Sequence, residues 1–276
     1  MGASLRTAQL SLAYGQRYTI ATPDSPEREG TFDILTCESS EPRDLAAFLS
    51  IVDAFSSGGG DGQGIADFFR GIARLFAVLP APDLASERQG LWGELFMMRT
   101  VKGFAFWLPF WHGDPLRKFD FSTPGRRVEA KAAQSDQRVH HFSHRQLFPV
   151  DDEEIVIASL LVRADDSGLS LGSLLAEARA LAGAAHAEMK LEQAVRRAGM
   201  NDPTEDGPRF DEHEAAGLIQ WFRAEDVPRF TSPEPAGVWG TRYSADLSTA
   251  TRMSDEELAV WLGAWEQETS NAVTSA

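Results

Sequence analysis

Apolar and polar residues alternate near the start of the chain, at Leu10, Leu12, Tyr18 and Ile20 and again at Phe32, Ile34 and Thr36. A period of two puts such residues on one face of a strand, so this stretch predicts short antiparallel strands. After Pro42 the period lengthens. Leu45, Phe48, Leu49, Val52 and Phe55 form one helical stripe, and Ile65, Phe69, Ile72 and Phe76 form a second. The link between them, Gly58-Gly59-Gly60-Asp61-Gly62, lacks the Gly-Lys-Ser/Thr ending of a phosphate-binding loop and reads as a connector.

Pro80 and Pro82 mark a boundary, and a helix over about 84–100 follows, with Leu91, Leu95 and Met98 on one face and Glu94 beside them. Beyond an aromatic stretch, strands are expected at Lys118–Phe121 and Arg127–Lys131, joined by the turn Ser122-Thr123-Pro124-Gly125, with another at Arg138–Phe142. The unbroken apolar run Ile155–Val162 suits a strand buried on both faces, and Leu171, Leu174, Leu175, Ala178 and Leu181 give a covering helix. The order is helix, three strands, short link, strand, helix. A helix over 186–199, strands at 218–223 and 238–246, and a last helix opened by Ser254 and Glu257 in capping-box spacing complete the pattern. Leu258, Trp261, Leu262 and Trp265 form the buried face of that helix. Three regions result: strands and two helices over 1–82, a core over 83–185, and an α+β extension over 186–276 packed on the core.

With 276 residues, 43% of them hydrophobic, the chain has material for one large core or two modest ones. The single cysteine, Cys37, makes no intrachain disulfide, which fits a reducing cytoplasm. No signal peptide is visible, and the longest apolar runs are far short of a membrane span. A net charge of −15 argues against a protein that coats nucleic acid non-specifically. The charge is unevenly spread, however. Between Pro115 and Gln146, Arg117, Lys118, Arg126, Arg127, Lys131, Arg138 and Arg145 face only Asp120, Glu129 and Asp136, with His140, His141 and His144 in the same stretch. A local basic cleft on an acidic body results.

In the strand over 127–131, residues two apart share a face, so Glu129 and Lys131 present a carboxylate and an ammonium to one cleft. The hairpin brings Asp120 alongside Glu129, a two-carboxylate site for a hard divalent cation, with the Ala130 carbonyl as a further ligand. Lys131 suits orienting an attacking water and stabilising phosphate charge. Glu94 is placed to complete the outer metal shell or to bind a second ion, and Gln146 to position water or substrate. Arg127, Arg138, His140 and Arg145 are the expected phosphate contacts. Spacing alone is weak support: the chain's acid content and lysine count give about 0.6 chance Glu/Asp-x-Lys matches. Glu188-Met189-Lys190 has the same spacing in a helical pattern, where the two ends do not share a face.

Context supplies the rest. Gln89-Gly90-Leu91-Trp92-Gly93-Glu94-Leu95, Phe119-Asp120-Phe121, Val128-Glu129-Ala130-Lys131 and Gln146-Leu147, in that order, resemble the landmarks of a bacterial group of PD-(D/E)XK motif proteins. Phe222–Phe230 and the strand holding Tyr243 resemble that group's C-terminal region. The resemblance implies an α/β (α+β) restriction-endonuclease-like mixed sheet flanked by helices, with N- and C-terminal extensions. It also implies magnesium, with manganese able to substitute, DNA as substrate, and other subunits of a restriction or antiviral defence system as partners. RNA as substrate and a homodimer as assembly stay open. The aspartate lies between phenylalanines instead of after a proline, and Ala132-Ala133 stand where related sequences carry small hydroxyl residues.

Two other readings compete. His140 and His144 could share a helix face as metal ligands, but no glutamate follows the first histidine as in zinc-hydrolase helices; the acidic run Asp211, Glu212 and Glu214 reads as solvated. The weightier alternative is a catalytically silent nuclease-fold subunit that positions DNA or partner proteins.

Overall fold

The computed structural model describes residues 4–7, 10–22, 25–39, 42–57, 64–75, 84–112, 117–149, 153–182, 185–200 and 205–274. The chain divides into two compact units, one of Met1–Ala81 with Gly183–Glu192, the other of Pro82–Ala182 with Gln193–Ala276.

In the first unit, β1 (Leu5–Arg6), β2 (Leu10–Thr22) and β3 (Ser25–Cys37) form an antiparallel sheet in that order. Helices α1 (Pro42–Ser57) and α2 (Ile65–Leu75) follow. Leu10 and Leu12 pack with Phe48, Ile51, Phe68, Phe69 and Ile72, and the Phe55 ring stacks on Phe68 at 3.9 Å. The strands are longer than the alternation predicts. Past the irregularity between Ala13 and Gln16, pairing continues from Gln16↔Phe32 to Thr22↔Ser25 while Tyr18 and Ile20 lie in solvent. Backbone hydrogen bonds alone extend the ribbon beyond its core. Leu45 and Leu49 of the predicted α1 stripe are also exposed, Ile51 taking the buried place. Phe76, the glycine-rich link and Pro80 with Pro82 lie outside the described residues.

The second unit opens with α3 (Leu84–Thr100) and α4 (Phe104–Trp107), then β4 (Phe121–Ser122), β5 (Arg126–Ala133), β6 (Val139–Ser143) and α5 (His144–Leu147). After these come β7 (Glu154–Leu161), β8 (Ala164–Ser170), α6 (Leu171–Ala182) and α7 (Ala185–Arg197), which carries residues of both units. The remainder is β9 (Arg209–Phe210), α8 (Glu212–Gly217), β10 (Gln220–Arg223), β11 (Arg242–Asp246) and α9 (Asp255–Thr274). The main sheet has the order β10-β7-β5-β4 and is mixed: β5 and β7 run parallel, the outer pairs antiparallel. It is flanked by helices, as the resemblance implies.

The strand β4 begins at Phe121, so Asp120 stands just before it rather than inside the expected 118–121 strand. β6 does not join the main sheet. It pairs with β11, from Val139↔Asp246 to Ser143↔Arg242. Sequence periodicity finds a strand but not its partner, and here the partner lies far along the chain. Ser254 and Glu257 do form the reciprocal cap at the head of α9, whose Trp261, Leu262 and Trp265 are buried.

β5 turns Val128, Ala130 and Ala132 toward one face and Glu129 and Lys131 toward the other. α3 lies on the first of these faces, and very close. A Cβ on Gly93 would come 2.7 Å from the Ala132 Cβ, and Gln89 donates to the Ala132 carbonyl at 2.8 Å. Trp92 adds a bond to the Leu169 carbonyl at 2.9 Å. Gly93→Val is therefore expected to push α3 off the sheet, destabilising the protein by about 1–3 kcal/mol in urea titration. A variant with wild-type stability would show that the helix can shift at no cost.

Candidate active site

Three elements bring the predicted residues together. Asp120 precedes β4 at the sheet edge, and its Oδ2 accepts a hydrogen bond from the Ala130 amide at 2.8 Å. That bond sets the aspartate beside the middle of β5. Across the strand, Lys131 Nζ is 2.6 Å from Glu129 Oε1, and Gln146 Nε2 donates to the same oxygen at 2.5 Å. Gln146 is held from both ends, since its Oε1 accepts from the Ser143 amide in the capping box that starts α5. A glutamine fixed by its own helix cap thus reaches the carboxylate on the neighbouring strand.

Glu94 comes from α3, on the other side of β5, which is why Asp120 rather than Glu129 is its main electrostatic neighbour. Its Oε2 accepts from Trp111 Nε1 at 2.6 Å, and Arg197 of α7 lies 3.7 Å from its Oε1. Sequence reasoning passed over Trp111 and Arg197. Nothing in the aromatic stretch marks one tryptophan as a partner for a carboxylate, and nothing local links an arginine on α7 to α3.

Burial dominates the electrostatics. Desolvation and the Asp120 charge push Glu94 up to about 8, against the opposing Arg197 guanidinium and Trp111 hydrogen bond. Glu129 is pushed up to about 8 by the same two causes, with Lys131 pulling the other way. Burial also raises Asp120, despite Lys131 and the Ala130 amide. For Lys131, burial favours the neutral amine, but the carboxylates of Glu129, Asp120 and Glu94 together outweigh it and hold the ammonium above its ordinary value. Three carboxylates are crowded around one lysine, a set short of positive charge.

Among the described residues, no three His, Cys, Asp or Glu side chains converge as a ready metal cage. Glu94 comes from α3, which packs on the Ala132 side of β5, whereas Glu129 and Lys131 alternate to the other side of that strand. The donor chemistry nevertheless suits a hard cation. Asp120 and Glu129 offer oxygen ligands, and Glu129 Oε2 is buried with no hydrogen-bond partner.

The four expected phosphate contacts are placed differently from one another. Arg127 is held by Glu153 at 2.6 Å and by the Thr123 carbonyl. Arg138 is buried, donating to the Ser159 carbonyl and hydroxyl at 2.9 Å each and to the Leu218 carbonyl. His140 is buried with Nε2 2.7 Å from the same hydroxyl, and burial lowers it to about 4, so it is neutral at physiological pH. Arg145 is exposed on α5, next to Gln146.

An acid at the head of an edge strand, a Glu-x-Lys pair on the adjoining strand and a glutamate on the preceding helix stand on a mixed sheet flanked by helices, a fold of the PD-(D/E)XK restriction-endonuclease-like class. The chain belongs to the family described as "Putative PD-(D/E)XK family member" (DUF4420), which matches residues 64–248. Neither the search of curated proteins nor that of solved structures returned a match. Among the described residues, no helix is long and apolar enough to cross a membrane.

Proposed function

We propose that this protein is a divalent-metal-dependent endonuclease that hydrolyses DNA phosphodiester bonds, working with other components of a restriction or phage-defence system. The observation that carries the reading is the buried Glu129 carboxylate itself: Lys131 and Gln146 meet at its Oε1, its Oε2 has no hydrogen-bond partner, and the Asp120 charge acts on it from the sheet edge. A structural ion pair has no use for three crowded, buried acids, whereas a cation site does. Asp120 and Glu129 would hold the ion, with Glu94 in its outer shell. Magnesium, or manganese in its place, would neutralise phosphate charge and favour ionisation of the attacking water. Lys131 moves from Glu129 toward the phosphate, keeping its proton and countering charge as the bond breaks. Gln146, fixed by its cap, orients Glu129 and the water beside it. Arg145 meets the backbone of the nucleic acid, while Arg138 and His140 brace β7 behind the site through Ser159.

A silent, DNA-positioning subunit is the second reading, favoured by the absence of a ready three-ligand cage among the described residues. Incubating wild type and Lys131→Ala with supercoiled, linear and single-stranded DNA, in magnesium, manganese or EDTA, separates the two. Metal-dependent cutting confined to the wild type supports the nuclease; no cutting by either, with or without the products of neighbouring genes, supports the silent subunit.

A further inference from the structure

We infer that the segment between β10 and β11 is a base-stacking platform for single-stranded nucleic acid, with Trp239 as its stacking surface. The inference rests on the nuclease reading and names the substrate class of that site. Trp239 is 79% exposed, while Trp92, Trp107, Trp111, Trp221, Trp261 and Trp265 are each 5% exposed or less. An indole left in water forgoes the burial that makes tryptophan a strong core residue, so its position calls for a partner.

The segment is built to hold it. Gly237 and Gly240, at φ 83° and 74°, bracket the tryptophan in backbone conformations that a side chain would strain. The Val238 amide donates to the Pro235 carbonyl at 2.9 Å and the Thr241 amide to Glu234 Oε1 at 2.8 Å, closing a compact loop. Phe230, 59% exposed, stands edge-on to Tyr243 at 5.1 Å and adds a second ring.

The loop is also bonded to the site. The Thr241 carbonyl accepts from the His144 amide at 2.8 Å, at the first residue of α5, the helix that carries Gln146 to Glu129. Arg242 lies opposite Ser143 in the β6–β11 pairing, so exposed Arg242 and exposed Arg145 flank the same corner. Of the segment's three acids, Glu225 and Asp226 lie in its first turn next to β10, and Glu234, the one beside the tryptophan loop, has its carboxylate engaged by the Thr241 amide and faces His144 and Arg145. Aromatic faces interleaved with arginines match a strand that offers both bare bases and phosphates. An intact duplex hides its base faces, so the preferred substrate is a single strand, a frayed end or an extruded base.

Because the remaining tryptophans are buried, intrinsic emission accessible to acrylamide reports on Trp239. Poly-dT and poly-rU are titrated in EDTA, so that nothing is cut. Both the emission and its acrylamide quenching are expected to fall on binding, with Trp239→Ala weakening affinity about 5- to 100-fold and Trp239→Phe retaining most of it. Unchanged emission, or equal affinity in Trp239→Ala, overturns the platform. So does a homodimer or protein complex that depends on Trp239 and is indifferent to the oligonucleotides. Binding lost in Trp239→Ala when no form of the protein cuts DNA would keep the platform and sink the nuclease. Metal-dependent cutting of single strands at unchanged KM in Trp239→Ala would do the reverse.

Discussion

Lys131→Ala is expected to lower metal-dependent DNA cleavage by about 10²- to 10³-fold, the scale for losing one preorganised donor to a developing oxyanion. Among the described residues its ammonium is the cation directly on Glu129, at 2.6 Å, and it sits among carboxylates that hold it charged. Glu129→Gln should fall at least as far, because it removes a carboxylate ligand while keeping the volume and leaving Gln146 a partner. Lys131→Arg should recover little, since a planar guanidinium cannot take the place of a compact point charge in a buried corner. Rates are compared under single-turnover conditions, with thermal unfolding run alongside to show that each variant is folded. Residual cleavage within a few-fold of wild type in both alanine and glutamine variants would move the chemistry elsewhere.

The second large effect concerns stability, pH and metal together. Glu94 and Glu129 titrate near 8 in the fold, against ordinary glutamate values in the unfolded chain. Between about pH 4.5 and 8 the native state therefore binds more protons than the unfolded one, and stability falls as pH rises through that window. The sign is opposite to that of a salt-bridged carboxylate, whose depressed value stabilises the fold at neutral pH. A divalent cation bound by the ionised carboxylates should reverse the loss. At a hundred times its dissociation constant it contributes about 2.7 kcal/mol, and protons compete with it at low pH. Unfolding temperature in EDTA should thus decline from pH 5 to pH 8, and magnesium or manganese should restore it more at pH 8 than at pH 5. A protein of net charge −15 also gains from general screening, so the control is Asp120→Asn/Glu129→Gln at matched ionic strength. A metal shift of equal size in that double variant would assign it to the surface and count against the site.

Much of the site was legible because its signals are local. Glu129 and Lys131 share a face once the segment is a strand, and the strand is recognisable from the turn before it. The cap that fixes Gln146, Ser143 to Gln146, is also short-range, but Gln146 stood out in the sequence only through the resemblance. What stayed hidden depends on contacts between distant segments. Trp111, past the end of α4, and Arg197, the last residue of α7, meet Glu94 only through the tertiary fold, and β6 finds its partner in β11. The basic residues show the limit most clearly. Arg138 and His140 look like Arg145 in the sequence, yet two are packed against Ser159 and one is in solvent.

The family resemblance singled out the acids and lysine of the candidate site, while the sequence pattern by itself determined which residue types lie at strand and helix spacing, and so the long helices and the central strands. These follow from periods of two and 3.6 that any backbone imposes. Only the tertiary structure decided what surrounds those charges. Burial, the crowding of three carboxylates on two sides of β5 and the exposure of one tryptophan among seven are properties of packing, which no local period encodes.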